Sequence, residues 1–432
     1  MRWQAITLAL IIVVSMSFGQ VLAGENPIIF KGSVGEDIQY QKSIEAVAIS
    51  NGTVYASCDY RMVIGKELLS VYYLGLTAAY SLNGSRLWVN DSGYVVKIQP
   101  LNNGVLAGTF GGFVFFDKEG NIKANFPTLN KLYDFEMKNG YVYGVDGDVW
   151  YSNGTFSSSG EVFKAKLLEN GSLSIEDGWK LRLPTMPGRV RLGDIIYVGS
   201  GFPSGYSAKY QFGAIYGVSY DGELLWNVST GWWVRDLELW RGNAIAGTGF
   251  NNTKGYILIV DKDGRVLWNE STFFVEDLLV VNDTLYVSGF DGEKGKVAAY
   301  DLNDKKLLWS RDFPYRAKAL AYGDGKLIVG TGKFESKEEG NITKVYSEGG
   351  LYVLDPSDGK VLWEDRGMGY VRSLAVQGSL VAAGTGSSYF YVLDLSKIKE
   401  PSGICGPAFF VFLTLLVTVV MRGGLNGGRA GH

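Results

Sequence analysis

The chain has one histidine, His432 at its extreme end, and only two cysteines, Cys58 and Cys405. With imidazole confined to the last position, Ser-His and Cys-His nucleophilic machinery is excluded, and so is a metal or haem site built on histidine. Cys405 falls in the C-terminal tail, which leaves Cys58 alone in the body and rules out an internal disulfide there. A lone cysteine on an expected strand reads as a small core residue. Charge of one sign is also scarce: the formal net charge is −3 over 432 residues, so nothing in the charge balance recommends nucleic acid as a partner. Long hydrophobic runs are missing except near the two ends.

Those ends set the expected organisation. Residues 1–23 carry Arg2, an apolar stretch from Ala5 to Met16 and a small-residue cleavage site at Val21-Leu22-Ala23, the pattern of a secretory signal. A second apolar run, Ala408 to Met421, follows Cys405-Gly406-Pro407 and precedes Arg422. The expectation is a signal peptide at 1–23, a body at 24–398 and a sorting or membrane-anchor segment at 399–432. Export has independent support. Asn51, Asn83, Asn90, Asn153, Asn170, Asn227, Asn251, Asn269, Asn282 and Asn341 each open an Asn-X-Ser/Thr sequon. Composition alone would supply roughly two or three such sites. The body is expected outside the cell, glycosylated, monomeric and held at the membrane by its tail.

What the body has in abundance is glycine, 58 residues, and aromatics, 14% of the chain. Many of them recur in one phrase, a turn followed by two apolar residues and tryptophan. It reads Asp221-Gly222-Glu223-Leu224-Leu225-Trp226, returns with Trp268, Trp309 and Trp363, and has an earlier copy ending at Trp88. The last three intervals are 42, 41 and 54 residues. A period of that length built from short alternating strands is the mark of propeller blades. First strands fall near residues 45, 96, 132, 189, 234, 275, 317 and 371, which predicts an all-β, eight-bladed β-propeller of four-stranded blades. Seven blades is the alternative, should a degenerate early unit be an insertion. The unit at 96–125 has Ala124 where others have tryptophan, and in the unit at 132–180 the nearest is Trp179, out of register. The last unit has only three strands, and the unused pattern Ile28 to Val34 is expected to supply its fourth, closing the ring.

The phrase resembles the pyrroloquinoline quinone (PQQ) type of propeller repeat, best at Val297-Ala298-Ala299-Tyr300-Asp301 through Trp309 and at Leu351-Tyr352-Val353-Leu354-Asp355 through Trp363. The resemblance covers about residues 40–396 and implies the fold. Quinone-dependent dehydrogenases of that type commonly use an adjacent cysteine pair and calcium; this chain has no such pair, and no cofactor is expected. The tail resembles the Cys-Gly-Pro type of C-terminal sorting signal on archaeal surface proteins, which implies Cys405 as the lipid-anchoring residue. The Gly-rich stretch from Gly423 departs from that pattern.

Aligning the first strands exposes one column: Glu45, Arg235, Glu276, Lys318 and Arg372. Inner strands line the channel, so these side chains should ring its mouth, with Trp233 and Tyr370 just before two of them. One reading is a recess for a glycan, a peptide or an envelope protein, contacted by Trp233, Arg235, Glu276, Lys318, Tyr370, Arg372 and Glu45. The plainer reading is a solvated mouth whose opposite charges pair, Glu276 with Arg235 and Lys318, and Glu45 with Arg372. A binding or scaffold module without catalysis is the expected class. The alternative is a carboxylate-dependent glycan-processing enzyme using Asp236, Glu276 and Asp277, which needs two carboxyls at a set separation. A quinone-type dehydrogenase ranks third.

Overall fold

A computed structural model describes residues 25–38, 41–64, 70–152, 155–201, 212–339 and 342–399. The expected signal peptide, Cys405 and the tail, and the sequons at Asn153 and Asn341 lie outside the described residues. Glu25–Lys397 form one compact unit. It consists of eight four-stranded antiparallel sheets. The inner strands are Lys42–Ser50, Val95–Leu101, Lys131–Lys138, Pro187–Leu192, Trp233–Trp240, Phe274–Val281, Ala317–Gly323 and Val371–Gln377. Each lies at its anticipated place, and the seven-bladed alternative is thereby excluded. Turns obey local backbone chemistry: Asn51, Asn139 and Asn282 hold positive φ at the first hairpin of their blades, as small polar residues can.

Alternation along each strand sends one set of side chains against each neighbouring blade. Ile245, Ile257 and Ile259 of the fifth blade thus meet Val275, Leu278 and Leu285 of the sixth in one buried cluster. No blade has a core of its own, so stability is shared between neighbours.

The recurring phrase works across blades. Trp226 Nε1 donates to Lys262 O in the next blade's outer turn (2.8 Å), and Gly264 of that turn lies flat against the indole. Trp88 repeats this with Lys118 O and Gly120, and Trp309 with Pro356 O and Gly359. Trp179, out of register in sequence, does the same with Tyr220 O (2.9 Å) and Gly222. Extra residues between Ser174 and Trp179 on its own strand, opposite Lys166 and Lys164, shift the count and restore the position. In the second blade Phe115 packs on Gly171 instead.

Closure follows the expected route. Ile28–Ser33 pairs antiparallel with Tyr389–Asp394 as the outer strand of the eighth blade. Phe30 on that strand packs on Gly84, the outer-turn glycine of the first blade, and so occupies the place tryptophan has elsewhere. Tyr80 of the first blade donates its hydroxyl to Ser33 O. The two ends of the ring are locked by the same device that joins its interior blades.

Candidate functional site

Every inner strand has a β-bulge at the same position: its pairing skips Glu45, Val96, Tyr133, Gly188, Arg235, Glu276, Lys318 and Arg372 in turn. A bulge re-aims the extra residue. Here it turns the charged column of the sequence into a ring near the mouth of the central channel, where Glu45, Glu276, Lys318 and Arg372 line a cavity of about 360 Å³. Three blades contribute Val96, Tyr133 and Gly188 to the ring. Gly188 is buried, yet a Cβ there would meet nothing within 4 Å, so the ring has a notch at the fourth blade.

The opposite charges pair as the plainer reading anticipated, but the mouth is not a solvated surface. The Glu276 side chain is 3% exposed. Its Oε2 accepts from Arg235 (2.7 Å) and Lys318 (2.6 Å), and Oε1 from Arg316, a residue outside the aligned column because it precedes the bulge. Burial opposes ionisation, but Lys318, Arg235 and Arg316 outweigh it and hold this carboxyl well below the usual range. Glu45 takes Arg372 (2.9 Å) and the Ser43 hydroxyl. The aromatic residues serve the cations: Arg235 lies over Trp233 (4.0 Å) and Phe274, and Arg372 over Tyr370 (5.0 Å) and Phe334. Four cations thus face two carboxylates. The buried Nε atoms of Arg235 and Arg372 have no hydrogen-bond partner among the described residues.

One step further in, the aspartate that follows the bulge in three of the inner strands does structural work. Asp236 Oδ2 accepts Leu278 N–H of the next blade (3.0 Å) and Asp277 Oδ2 accepts Leu320 N–H (2.7 Å). Asp134 does the same for Val190 N–H (3.2 Å). Arg189 and Arg191 bond Asp236, and Arg191 and Lys97 bond Asp134. Lys97, Arg191 and Arg189 overcome the cost of burial and draw Asp134 down to about 2. The Asp277 carboxyl is hydrogen-bonded to Asp236, and burial with that neighbouring charge pushes it well above the carboxylate range. Carboxyls in direct contact leave no room for the sugar that glycosidase pairs hold at roughly 5–9.5 Å. All three alternative catalytic residues are committed elsewhere, Glu276 to three cations and both aspartates to the neighbouring blade.

The same contacts argue against a calcium-assisted quinone in this channel. Its carboxylates are taken up by arginine, lysine and backbone N–H, and among the described residues no group of three acidic or soft ligands could hold a metal ion. Cys58 is buried in the core of the first blade, its thiol pushed up to about 12 by burial. A reactive thiol would need the opposite environment.

Three hairpins rise beyond their blades on the mouth face: Thr53–Ile64 with Ser70–Ser81, Tyr141–Ser152 with Thr155–Leu167, and Lys326–Glu339 with Ile342–Leu354. Between hairpins and channel lie a cavity of about 430 Å³, which includes Tyr315, Arg316, Phe334 and Tyr370, and one of about 310 Å³, which includes Tyr73, Tyr94, Phe334 and Arg372.

The architecture defines an eight-bladed β-propeller, and its repeats are similar to those of the PQQ-like kind. Residues 253–397 match the family described as outer membrane protein assembly factor BamB. A stretch of 109 residues, 23% of the chain, is 32% identical to quinoprotein ethanol dehydrogenase of Pseudomonas aeruginosa, of which it spans only 16%. Among solved structures, BamB from Moraxella catarrhalis superposes with a TM-score of 0.55 at 12% identity, covering 85% of this chain and 97% of that one. The computationally designed Ika8 protein gives 0.58 at 15% identity over 85% and 100%. Saccharomyces cerevisiae Sqt1 gives 0.58 at 10% over 82% and 96%. At such identities these likenesses establish the fold alone.

Proposed function

We propose that the protein is a non-catalytic, glycosylated cell-surface propeller that binds a partner through its mouth face and is held at the membrane by its C-terminal segment. The observation that carries the reading is the fate of the channel carboxylates: each candidate acid is already bound by cations or by a neighbouring blade. The open cavities lie above them, between tall hairpins. The family match to an assembly factor agrees with a scaffold role. Seven of the eight sequon asparagines among the described residues are exposed, which suits glycan attachment.

The test uses immobilised whole protein and a detergent extract of the native envelope, with retained proteins identified after cross-linking. Tyr315→Ala combined with Phe334→Ala should lose the retained partner, whereas substitution of Lys326 on the opposite face should not. Equal retention by all three proteins would remove the mouth face as the binding surface. Fractionation of cells lacking residues 399–432 should move the protein from the membrane to the medium.

A further inference from the structure

We infer that the channel mouth is a carboxylate-binding site, and that its ligand is an acidic side chain on a peptide segment presented by a protein partner. This rests on the reading of the protein as a binding propeller and names the chemistry of the contact. Three independent observations converge on it. Arg235, Arg316, Lys318 and Arg372 form ion pairs with only two carboxylates, Glu45 and Glu276, in a partly buried wall; Asp59, beside Arg372, is pushed well above the carboxylate range by burial. Cations that outnumber their carboxylate partners in such a place are costly, and a bound anion offsets that cost. The buried Nε donors of Arg235 and Arg372 stand unmatched among the described residues. The notch at Gly188, next in the ring to Arg235, supplies the space. Burial lowers the Lys318 ammonium, and crowding by Arg235 and Arg372 adds to this, as expected of an electropositive pocket.

The arrangement favours a peptide carboxylate over a sugar. Sugar recognition by aromatic residues uses free ring faces, and here one face of each ring is occupied: Trp233 and Phe274 by Arg235, Phe334 and Tyr370 by Arg372. What the mouth offers instead is guanidinium held in a fixed orientation, which suits carboxylate in a directional, charge-assisted bond. The hairpins Thr53–Ile64 with Ser70–Ser81 and Lys326–Glu339 with Ile342–Leu354 flank the approach, beside the cavities of about 430 and 310 Å³.

The notch makes a test possible that leaves every existing ion pair in place. Gly188 has no positive φ and open space around its Cα, so larger residues fit. Glu276 already bonds Arg235 and Lys318 on the two blades beside it, so Gly188→Glu should reach Arg235 in the same way and occupy the site from within. Fluorescence polarisation of a labelled hexaglutamate on the whole protein is expected to show binding that weakens with salt. Gly188→Glu should weaken it by about tenfold or more and Gly188→Gln by less than about threefold, since only the former adds a carboxylate. Gly188→Glu should also raise the melting temperature, which shows that the variant is folded. Undetectable hexaglutamate binding, or equal loss in the two variants, overturns the site. Tighter binding of oligogalacturonate than of hexaglutamate overturns the peptide in favour of an acidic glycan. Loss of the peptide with the cross-linked envelope partner still retained removes this inference and leaves the binding module standing.

Discussion

At the scale of single residues, two neighbours in the sixth blade are driven in opposite directions. Three cations hold Glu276 well below the usual carboxylate range; Asp277, beside it in sequence, is pushed well above that range by burial and by Asp236. Glu276→Gln should therefore be severe, about 3–5 kcal/mol, because it strands Arg235, Arg316 and Lys318 in a buried wall. Urea unfolding at neutral pH measures this. Asp277→Asn should be neutral or stabilising there, since the amide keeps the Leu320 N–H acceptor and relieves the repulsion with Asp236. The pH dependence separates the two. A depressed group such as Glu276 contributes stability above its unfolded value of about 4.5, lost as pH falls through the lower folded value. A raised group such as Asp277 contributes below its unfolded value of about 3.8, lost as pH rises through the higher folded value. The melting-temperature difference between Asp277→Asn and wild type should grow with pH; a constant difference would deny Asp277 its proton.

Gly264 meets a residue-scale constraint of another kind. Its φ is +81°, and a Cβ would stand 2.9 Å from the Trp226 ring. Gly264→Val should cost about 2 kcal/mol or more, from a left-handed backbone and a displaced indole together. Thermal melting with Trp fluorescence reports both.

At the scale of elements, the outer strand Ile28–Ser33 decides whether the ring is closed. It covers the edge of Tyr389–Asp394, and Phe30 fills the interface with the first blade. Gly32 lies against the Phe390 ring with no room for a side chain. Gly32→Val should thus unseat the strand, expose an edge prone to intermolecular pairing and broaden the unfolding transition. Limited proteolysis should then cut first near residues 25–35. A peptide spanning 25–35, added to protein lacking it, should restore a single sharp melt; if it does not, closure contributes little.

At the scale of the whole molecule, the sequons divide by geometry. Asn51, Asn83, Asn170, Asn227, Asn251, Asn269 and Asn282 are exposed. Asn90 is half-buried, and its amide nitrogen, the atom a glycan would join, donates to Gly120 O of the next blade (3.1 Å). Glycopeptide mapping of protein from its native source should find the exposed set modified and Asn90 bare. A modified Asn90 would mean that the second blade docks differently from the rest.

Blade number, the position of every inner strand and the closing strand are legible in the amino-acid sequence, because each is written in local terms. Alternation, turn asparagines and glycines, and a repeated Leu-Trp end act within a few residues of one another. The charged column is legible too, and so are its pairings. Its burial is not, because exposure depends on what the other seven blades place opposite. Arg316 escapes notice because it lies outside the aligned strand, and Phe30 because it stands in for tryptophan without resembling it. Nor can spacing reveal that Trp179 regains its register through extra residues within its own strand.

The sequence by itself determined that this chain is built of repeated four-stranded β units with no histidine chemistry in their midst. Periodicity and turn residues encode such units one at a time. Only the tertiary structure decided which carboxylates are committed, where cations outnumber them and where the ring leaves a gap. Those properties arise between residues as distant in the chain as Glu45 and Arg372, which meet only because the propeller closes. Charge balance in a closed channel is a sum over all the blades, and no single repeat contains it.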